Sequence, residues 1–148
     1  MRAVDTNILA RYYLADDPAH SRIAKRLLEA GDIFVPKTVV LELAWVLESV
    51  AGQPARKVQD CLRHLIALPG VTVEDEEEVH AALELSAKGV DFADGLHLCA
   101  SSACTEMLTF DDRFIRRASK GKPKITVTQP ANTPPAAHEK RTRYRVAR

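Results

Sequence analysis

The sequence predicts an α/β protein in which a parallel or mostly parallel sheet of short strands carries helices on its faces. Short apolar runs alternate with longer stretches of helical periodicity, and that alternation is typical of a sheet covered by helices. The chain has 148 residues, 46% of them hydrophobic, and no internal repeat. It therefore fits one globular domain with a sizeable core.

Strands are predicted where a short apolar run ends at an acid, a proline or a turn. The first run ends at Asp5, the second at Pro36, and the fourth at Asp111. Because ligands of such sheets bind at the carboxyl ends of the strands, Asp5 and Asp111 lie where a site is expected. The predicted strands cover residues 1–4, 33–35, 71–73, 107–110 and 125–127.

Helices are predicted where apolar residues recur every three to four positions between breakers. Pro18 closes the first helix, since proline disfavours helix in the residue before it, and Gly31 and Gly89 stop the second and the fifth. Thr38 is the predicted cap of the third. The acidic run at residues 74–78 is expected to be a solvated helix start. The predicted helices cover residues 6–14, 19–30, 38 to about 52, 55–68, 74–88 and 91–103, with a short helix after Phe114.

No stretch approaches the length of a membrane span, and the N-terminus lacks the apolar segment of a signal peptide. We therefore expect a cytoplasmic protein with no membrane partner. The three cysteines, Cys61, Cys99 and Cys104, are odd in number and lack C-x-x-C spacing. They are expected to be buried free thiols in a reducing compartment.

Charge is distributed unevenly along the chain. Residues 1–112 carry 10 Lys and Arg against 19 Asp and Glu, whereas residues 113–148 carry 11 basic residues and one acid, Glu139. A basic end could contact phosphates while the acidic body holds a metal ion. The alternative, which composition alone slightly favours, is a solvated tail without a partner. The prolines and arginines after Gln129 predict a flexible segment.

Four acids interrupt or end apolar stretches. Glu42 is the only charged residue in the run V-V-L-E-L-A-W-V-L, and Asp5, Asp94 and Asp111 have similar settings. Burying an isolated ionised carboxylate costs several kcal/mol, so residues of this kind need a partner or a cation. The pattern predicts a shared cation site, and oxygen ligands without paired His or Cys favour Mg²⁺ or Mn²⁺. Such a site supports phosphodiester hydrolysis by a metal-activated water.

Each acid also has a simpler interpretation. Asp5 could cap the first helix, and Asp91 competes with Asp94 either for capping or for the site. Asp111 and Asp112 could be ordinary loop acids. Only Glu42 lacks a capping alternative, because it lies in mid-helix.

Four motifs together resemble a known family. They are V-D-T-N at residues 4–7, Glu42 in the third predicted helix, D-F-A-D-G-L-H-L at 91–98 and L-T-F-D-D-R-F at 108–114. In order and spacing they resemble the PIN domain, and most closely the VapC-like toxins of bacterial toxin–antitoxin pairs. The resemblance covers residues 1–127, expected to form the nuclease domain. Residues 128–148 are expected to be a flexible basic tail.

The resemblance implies a three-layer α/β/α sandwich and a metal-dependent endoribonuclease. Its catalytic and metal-binding acids would be Asp5, Glu42, Asp94 and Asp111, holding Mg²⁺ or Mn²⁺. Asn7 and Thr109 would steady the site by hydrogen bonds. Asp91 and Asp112 are candidates to assist or replace their neighbours.

The resemblance also implies a homodimer and a cognate antitoxin that covers the acidic groove, often with a basic residue. The basic residues after Asp111 are candidates for RNA contact, namely Arg113, Arg116 and Arg117, followed by lysines. Trp45 is expected in the core rather than on a base-stacking surface, and His97 is expected to be packed or at an interface. Low aromatic content argues against extensive base stacking.

Two other classes of protein stay open. One is a phosphatase with an aspartyl nucleophile at Asp5, although the second Asp of its D-x-D pattern is Asn7 here. The other is a non-catalytic RNA-binding or regulatory module whose cation is structural. RNA cleavage, or a covalent-like beryllofluoride adduct at Asp5, would separate the three.

Overall fold

A computed structural model describes residues 1–131 of the chain. Within them, five short strands alternate with helices, as the apolar pattern predicts. The strands are β1 (Arg2–Ala3), β2 (Ile33–Val35), β3 (Val71–Val73), β4 (Glu106–Leu108) and β5 (Thr126–Thr128).

Helices fill the segments between the strands. The α-helices are α1 (Thr6–Leu14), α2 (Pro18–Ala30), α3 (Lys37–Trp45), α4 (Ala55–Ala67), α5 (Glu76–Ala87), α6 (Phe92–Ala100) and α7 (Asp112–Gly121). A π-helical segment, Val46–Val50, continues directly from α3.

Every strand pairing in the described part of the chain is parallel. Hydrogen bonds order three strands as β1-β2-β3, with Ile33 opposite both Arg2 and Val71. A second pair, β4-β5, places Met107 opposite Val127. The predicted α/β class with a parallel sheet is confirmed. Because the strands of each sheet run in the same direction, their carboxyl ends lie at one edge.

Two groups of buried apolar residues form the core. The larger group packs the β1-β2-β3 sheet against helices that precede and follow its strands in the chain. Its fully buried members include Leu9, Ile33, Leu43 and Leu62. The smaller group packs α7 against the β4-β5 pair. It includes Leu85, Val90, Leu98, Phe114, Ala118, Ile125 and Val127. Burial of this apolar surface is the main stabilising contribution to the fold.

Two glycines allow the loops before β2 and β3 to meet. Gly31 has φ 72° and Gly70 has φ 76°, a region that residues with a Cβ rarely adopt. A Cβ on Gly70 would lie 2.7 Å from the Gly31 Cα. The close approach lets the Ile33 N–H donate to the Gly70 carbonyl at 2.9 Å and start the β2-β3 pairing.

Some predicted boundaries are wrong. α3 begins at Lys37 after Pro36, which is extended and precedes the helix as its cap residue, so Thr38 lies inside the helix and does not cap it. α6 ends at Ala100 rather than at residue 103. Ser101 and Ser102 follow there, and serine competes with the helix by bonding to nearby backbone.

The acidic run before α5 is more than a solvated helix start. Lys37 at the start of α3 donates from Nζ to Asp75 at 2.7 Å and to Glu78 at 2.6 Å. Its backbone N–H donates to the Glu74 carboxylate at 2.8 Å. These contacts, which we call the Lys37 clamp, tie the start of α3 to the start of α5 and raise the pKa of Lys37.

The three cysteines are free, but Cys61 and Cys99 are only partly buried and Cys104 is exposed, which corrects the expectation of three buried thiols. Among residues 1–131, none of the helices has the length and apolar character needed to cross a membrane. The predicted tail at 128–148 lies mostly outside the described residues, since the description ends at residue 131. Its first residue, Thr128, belongs to β5.

Candidate active site

Asp5 follows β1 and precedes α1, where the sequence places it. It occupies the cap position of α1, yet within the described part of the chain its side chain makes no capping hydrogen bond. The carboxylate is exposed. Capping therefore does not account for Asp5, and its oxygens are available to a ligand.

Glu42 is exposed, which corrects the expectation that it draws a charge toward the core. α3 buries Val40, Leu43 and Ala44 and leaves Glu42 on its outer face. The Thr6 hydroxyl donates a hydrogen bond to Glu42 Oε2. Thr6 is only 6% exposed, and it holds Glu42 beside the chain segment that carries Asp5.

Thr6 is a residue that the sequence interpretation missed. The signal was its position directly after Asp5, because a hydroxyl at the first helical position can reach a neighbouring element. The bond sets the orientation of a long, otherwise mobile carboxylate.

The sequence left open which of Asp91 and Asp94 caps α6 and which belongs to the site. In the structure Asp91 is the cap. Asp91 caps α6, and its Oδ1 accepts from the Ala93 N–H at 2.9 Å and the Asp94 N–H at 3.4 Å. Asp94 is half-buried on the first turn. Burial raises its pKa, and the negative charges of Asp91 and Asp111 raise it further. Asp94 thus lies within electrostatic reach of Asp111.

Asp111 is held rigidly at the start of α7. Its Oδ1 accepts from the Arg113 N–H at 2.8 Å and from the Phe114 N–H at 3.0 Å. The bond from Phe114 is the largest of the effects that lower the pKa of Asp111. The Thr109 hydroxyl oxygen accepts from the Asp111 N–H at 3.0 Å, in keeping with the steadying role expected of Thr109. These capping bonds use Oδ1 and leave Oδ2 outside them.

A surface cavity of about 560 Å³ joins α3 to the start of α6. Glu42 and Trp45 line one side, and Asp91, Phe92 and Ala93 line the other. The expectation that Trp45 belongs to the core is wrong, because its side chain is 60% exposed.

The expected assisting residues differ in their settings. Asp112 accepts a hydrogen bond from the Gln129 side chain at 2.6 Å. Asn7 is exposed, and in residues 1–131 no hydrogen bond joins its side chain to an acid, so its steadying role stays a prediction. His97 is exposed rather than packed, and its charge acts to lower the pKa of Asp94.

The candidate acids are linked in a series rather than gathered into a closed cage. The Thr6 bond connects the Asp5 segment to Glu42, the cavity connects Glu42 to the start of α6, and charge connects Asp94 to Asp111. Among the described residues, no three His, Cys, Asp or Glu side chains form a group able to hold a metal ion. The donors are nonetheless all oxygens, and the repulsion that raises the pKa of Asp94 is what a bound cation offsets. The donor chemistry fits a hard divalent cation.

The three candidate RNA-contacting arginines, Arg113, Arg116 and Arg117, lie exposed on α7 beside the acids. Arg113 and Arg116 help to lower the pKa of Asp111, and Arg117 has the same effect on Asp94. Positive charge next to an acidic face suits a polyanion whose backbone is held by arginine while one phosphate approaches the acids.

Comparison with models of protein families matches residues 2–120 to the PIN domain. The chain belongs to the PIN domain family. This confirms the resemblance to the PIN domain drawn from the four motifs, and the fold class with it, while the closer resemblance to VapC-like toxins stays a prediction. The family is one of nucleases that are typically metal-dependent. A search among curated proteins gives no match.

Proposed function

We propose that this PIN domain is a metal-dependent endoribonuclease and the toxin of a type II toxin–antitoxin pair. Its acids would be Asp5, Glu42, Asp94 and Asp111, and its cation Mg²⁺ or Mn²⁺. The single observation that carries the proposal is the Thr6–Glu42 hydrogen bond, which links the Asp5 segment to an acid 36 residues from Thr6 in sequence.

The side chains divide the work of the site. Asp5 presents an uncapped carboxylate, Glu42 is oriented by Thr6, and Asp111 is fixed by two backbone N–H groups. When bound, a divalent cation would lower the pKa of an attacking water and stabilise charge on the leaving oxygen. Burial and the neighbouring charges of Asp91 and Asp111 raise the pKa of Asp94, and a bound cation would stabilise its charged form.

The proposal includes an antitoxin as protein partner and a second copy of this chain in a homodimer. An exposed acidic face is complementary to a basic segment of an antitoxin, which would exclude RNA from the same face. The homodimer rests on the resemblance to VapC-like toxins. The large exposed hydrophobic side chains Val50, Leu108 and Phe110 would be available to either contact.

RNA cleavage by the purified full chain tests the activity. We expect cleavage with Mg²⁺ or Mn²⁺ that EDTA abolishes, leaving 5′-phosphate ends. Asp5→Asn and Glu42→Gln should each lose it. Glu29→Gln, an exposed acid on α2, is the matched control and should cleave normally. If both site variants still cleave RNA, the assigned site is wrong.

A second candidate is a non-catalytic RNA-binding module with a structural cation, since the exposed arginines of α7 would contact RNA phosphates whether or not the RNA is cleaved. It predicts that EDTA lowers the melting temperature while RNA is bound and left intact. The two functions therefore separate in one set of samples assayed for both cleavage and thermal unfolding.

A further inference from the structure

Trp45 is the one tryptophan of the chain, and it is 60% exposed. It lies three residues beyond Glu42, about one helical turn, at the end of α3. An indole buries a large apolar area when it has a partner, so an exposed one beside a site is a candidate contact for a ligand.

The cavity beside Trp45 has a definite chemical character. Leu41, Ala44 and Phe92 contribute apolar walls, together with the Trp45 ring. Three carboxylates also line it, those of Glu42, Glu48 and Asp91, and no Lys or Arg stands among its lining residues in the described chain. Its volume of about 560 Å³ is that of an ordinary small-ligand pocket.

These walls select a flat group with hydrogen-bond donors at its edge. Glu48, which is not among the proposed cation ligands, would repel a phosphate inside the cavity, whereas a nucleobase offers a π-face to the indole and, in adenine, cytosine and guanine, an amino group to a carboxylate. An apolar helix of a protein partner fits less well, because it would bury the negative charges of Glu42, Glu48 and Asp91 with no positive charge beside them.

We propose that Trp45 stacks on one unpaired nucleobase of the RNA, next to the phosphate that the acids receive, and that Glu48 accepts a hydrogen bond from an amino group of that base. Glu48 follows Trp45 by three residues, within the π-helical segment, and lines the same cavity. Helix segments of this type recur at functional sites. The inference rests on the proposed nuclease function, and it narrows the substrate to single-stranded RNA with a preference for an amino-bearing base over uracil.

The test is fluorescence titration, since Trp45 is the sole tryptophan reporter. All proteins carry Asp5→Asn so that RNA stays intact, in buffer with Mg²⁺. The probes are eight-nucleotide oligo(A), oligo(C) and oligo(U), and an abasic phosphodiester of equal length. We expect oligo(A) and oligo(C) to quench the emission and bind more tightly than oligo(U), and the abasic strand to leave the emission unchanged.

Variants then separate stacking from charge, with binding followed by anisotropy of labelled oligo(A). Trp45→Leu should weaken binding roughly 5- to 150-fold, the range of one base–aromatic stack, without changing affinity for the abasic strand. Trp45→Phe should retain most of the affinity. Glu48→Gln should reduce the ratio of the affinity for oligo(C) to the affinity for oligo(U). Ile23→Leu, at a 58% exposed apolar position on α2, is the control and should bind as its parent does.

Unchanged oligo(A) affinity in Trp45→Leu, or equal quenching by the abasic strand, overturns the base-binding site. It leaves the nuclease proposal intact if wild-type cleavage still depends on Asp5 and Glu42. Conversely, if RNA binding depends on Trp45 but the wild-type chain does not cleave RNA, the proposed base-binding site stands and only the nuclease function is rejected. If Trp45→Leu alters the sedimenting mass but not RNA affinity, Trp45 serves a protein contact and the inference is wrong.

Discussion

The Thr6 hydroxyl donates to the Glu42 carboxylate, and this bond joins the start of α1 to the outer face of α3. Thr6 is almost fully buried, whereas Glu42 is exposed. The buried hydroxyl therefore restricts the orientation of the exposed Glu42 carboxylate. Groups that orient a ligand-binding side chain commonly matter nearly as much as the side chain itself.

Replacing Thr6 should therefore weaken the activity that Glu42 supports. We expect Thr6→Val, which keeps the shape but lacks the donor, to reduce kcat/KM for RNA cleavage about 10- to 100-fold. Thr6→Ser keeps the hydroxyl and should lose much less. Circular dichroism checks that both variants fold. Equal activity of the Val and Ser variants would show that the bond does not orient Glu42 in catalysis.

Asp91 should behave as a helix cap. Asp91→Ala removes the acceptor for the Ala93 and Asp94 N–H groups and should lower the free energy of unfolding by about 1 kcal/mol. Asp91→Ser restores an acceptor and should recover most of that loss, as measured by urea denaturation. If Asp91→Ser is stable but cannot cleave RNA, Asp91 takes part in the site beyond capping.

The Lys37 clamp should give a pH-dependent stability. Contact with Asp75 and Glu78 raises the pKa of Lys37 above its ordinary value of 10.5, so the clamp's contribution is complete below that value and is lost as pH rises beyond it. We expect Lys37→Met to melt at a lower temperature than wild type at pH 7. The gap should shrink in alkaline buffer above pH 10.5. A gap of constant size would mean that Lys37 stabilises through packing of its methylenes.

Glycine at position 70 should be required for its close approach as well as for its φ. Gly52 has a similar φ of 66°, and a Cβ added there would meet nothing within 4 Å, so Gly52→Ala measures the conformational strain alone, about 1–2 kcal/mol. Gly70→Ala should cost more, because its Cβ would lie 2.7 Å from the Gly31 Cα. Chemical denaturation of both variants gives the comparison. Equal losses would show that the loops separate without penalty.

Arginines on α7 should contribute to RNA affinity through charge. Removing one phosphate contact lowers the slope of log affinity against log salt by about 0.7 for a single strand. We expect Arg116→Gln to show that change, with Arg22→Gln on α2 as a control of equal charge. An unchanged slope in Arg116→Gln would place its guanidinium away from the RNA path.

Several boundaries of helices and strands could be predicted from residues close to them in sequence. The α1 and β2 boundaries coincide with the predicted ones, because Asp5 precedes α1, Asp16 lies two residues beyond its end, and Asp32 and Pro36 flank β2. The predicted cap of α3 at Thr38 is wrong, although threonine is a favoured cap residue. The helix begins at Lys37, directly after Pro36. Breakers act within a few residues, and so they can be read without knowledge of the tertiary structure.

Tertiary relationships could not be read in the same way. Nothing in the apolar run around Glu42 shows which side of α3 faces outward, and so both Glu42 and Trp45 were expected to be buried. The two acids that Lys37 Nζ contacts, Asp75 and Glu78, likewise lie 38 and 41 residues away in sequence. Long-range pairs of this kind depend on how elements pack, which periodicity alone does not specify.

The π-helical turn at Val46–Val50 holds a residue more than an α-helical turn would. Deleting one residue there would let the turn close with α-helical hydrogen bonds, while the direction of Glu42 upstream stays as it is. Shortening this segment by a single residue is thus a simple way to change the cavity wall that Glu48 and Ser49 form, without changing the α3 turn that carries Glu42.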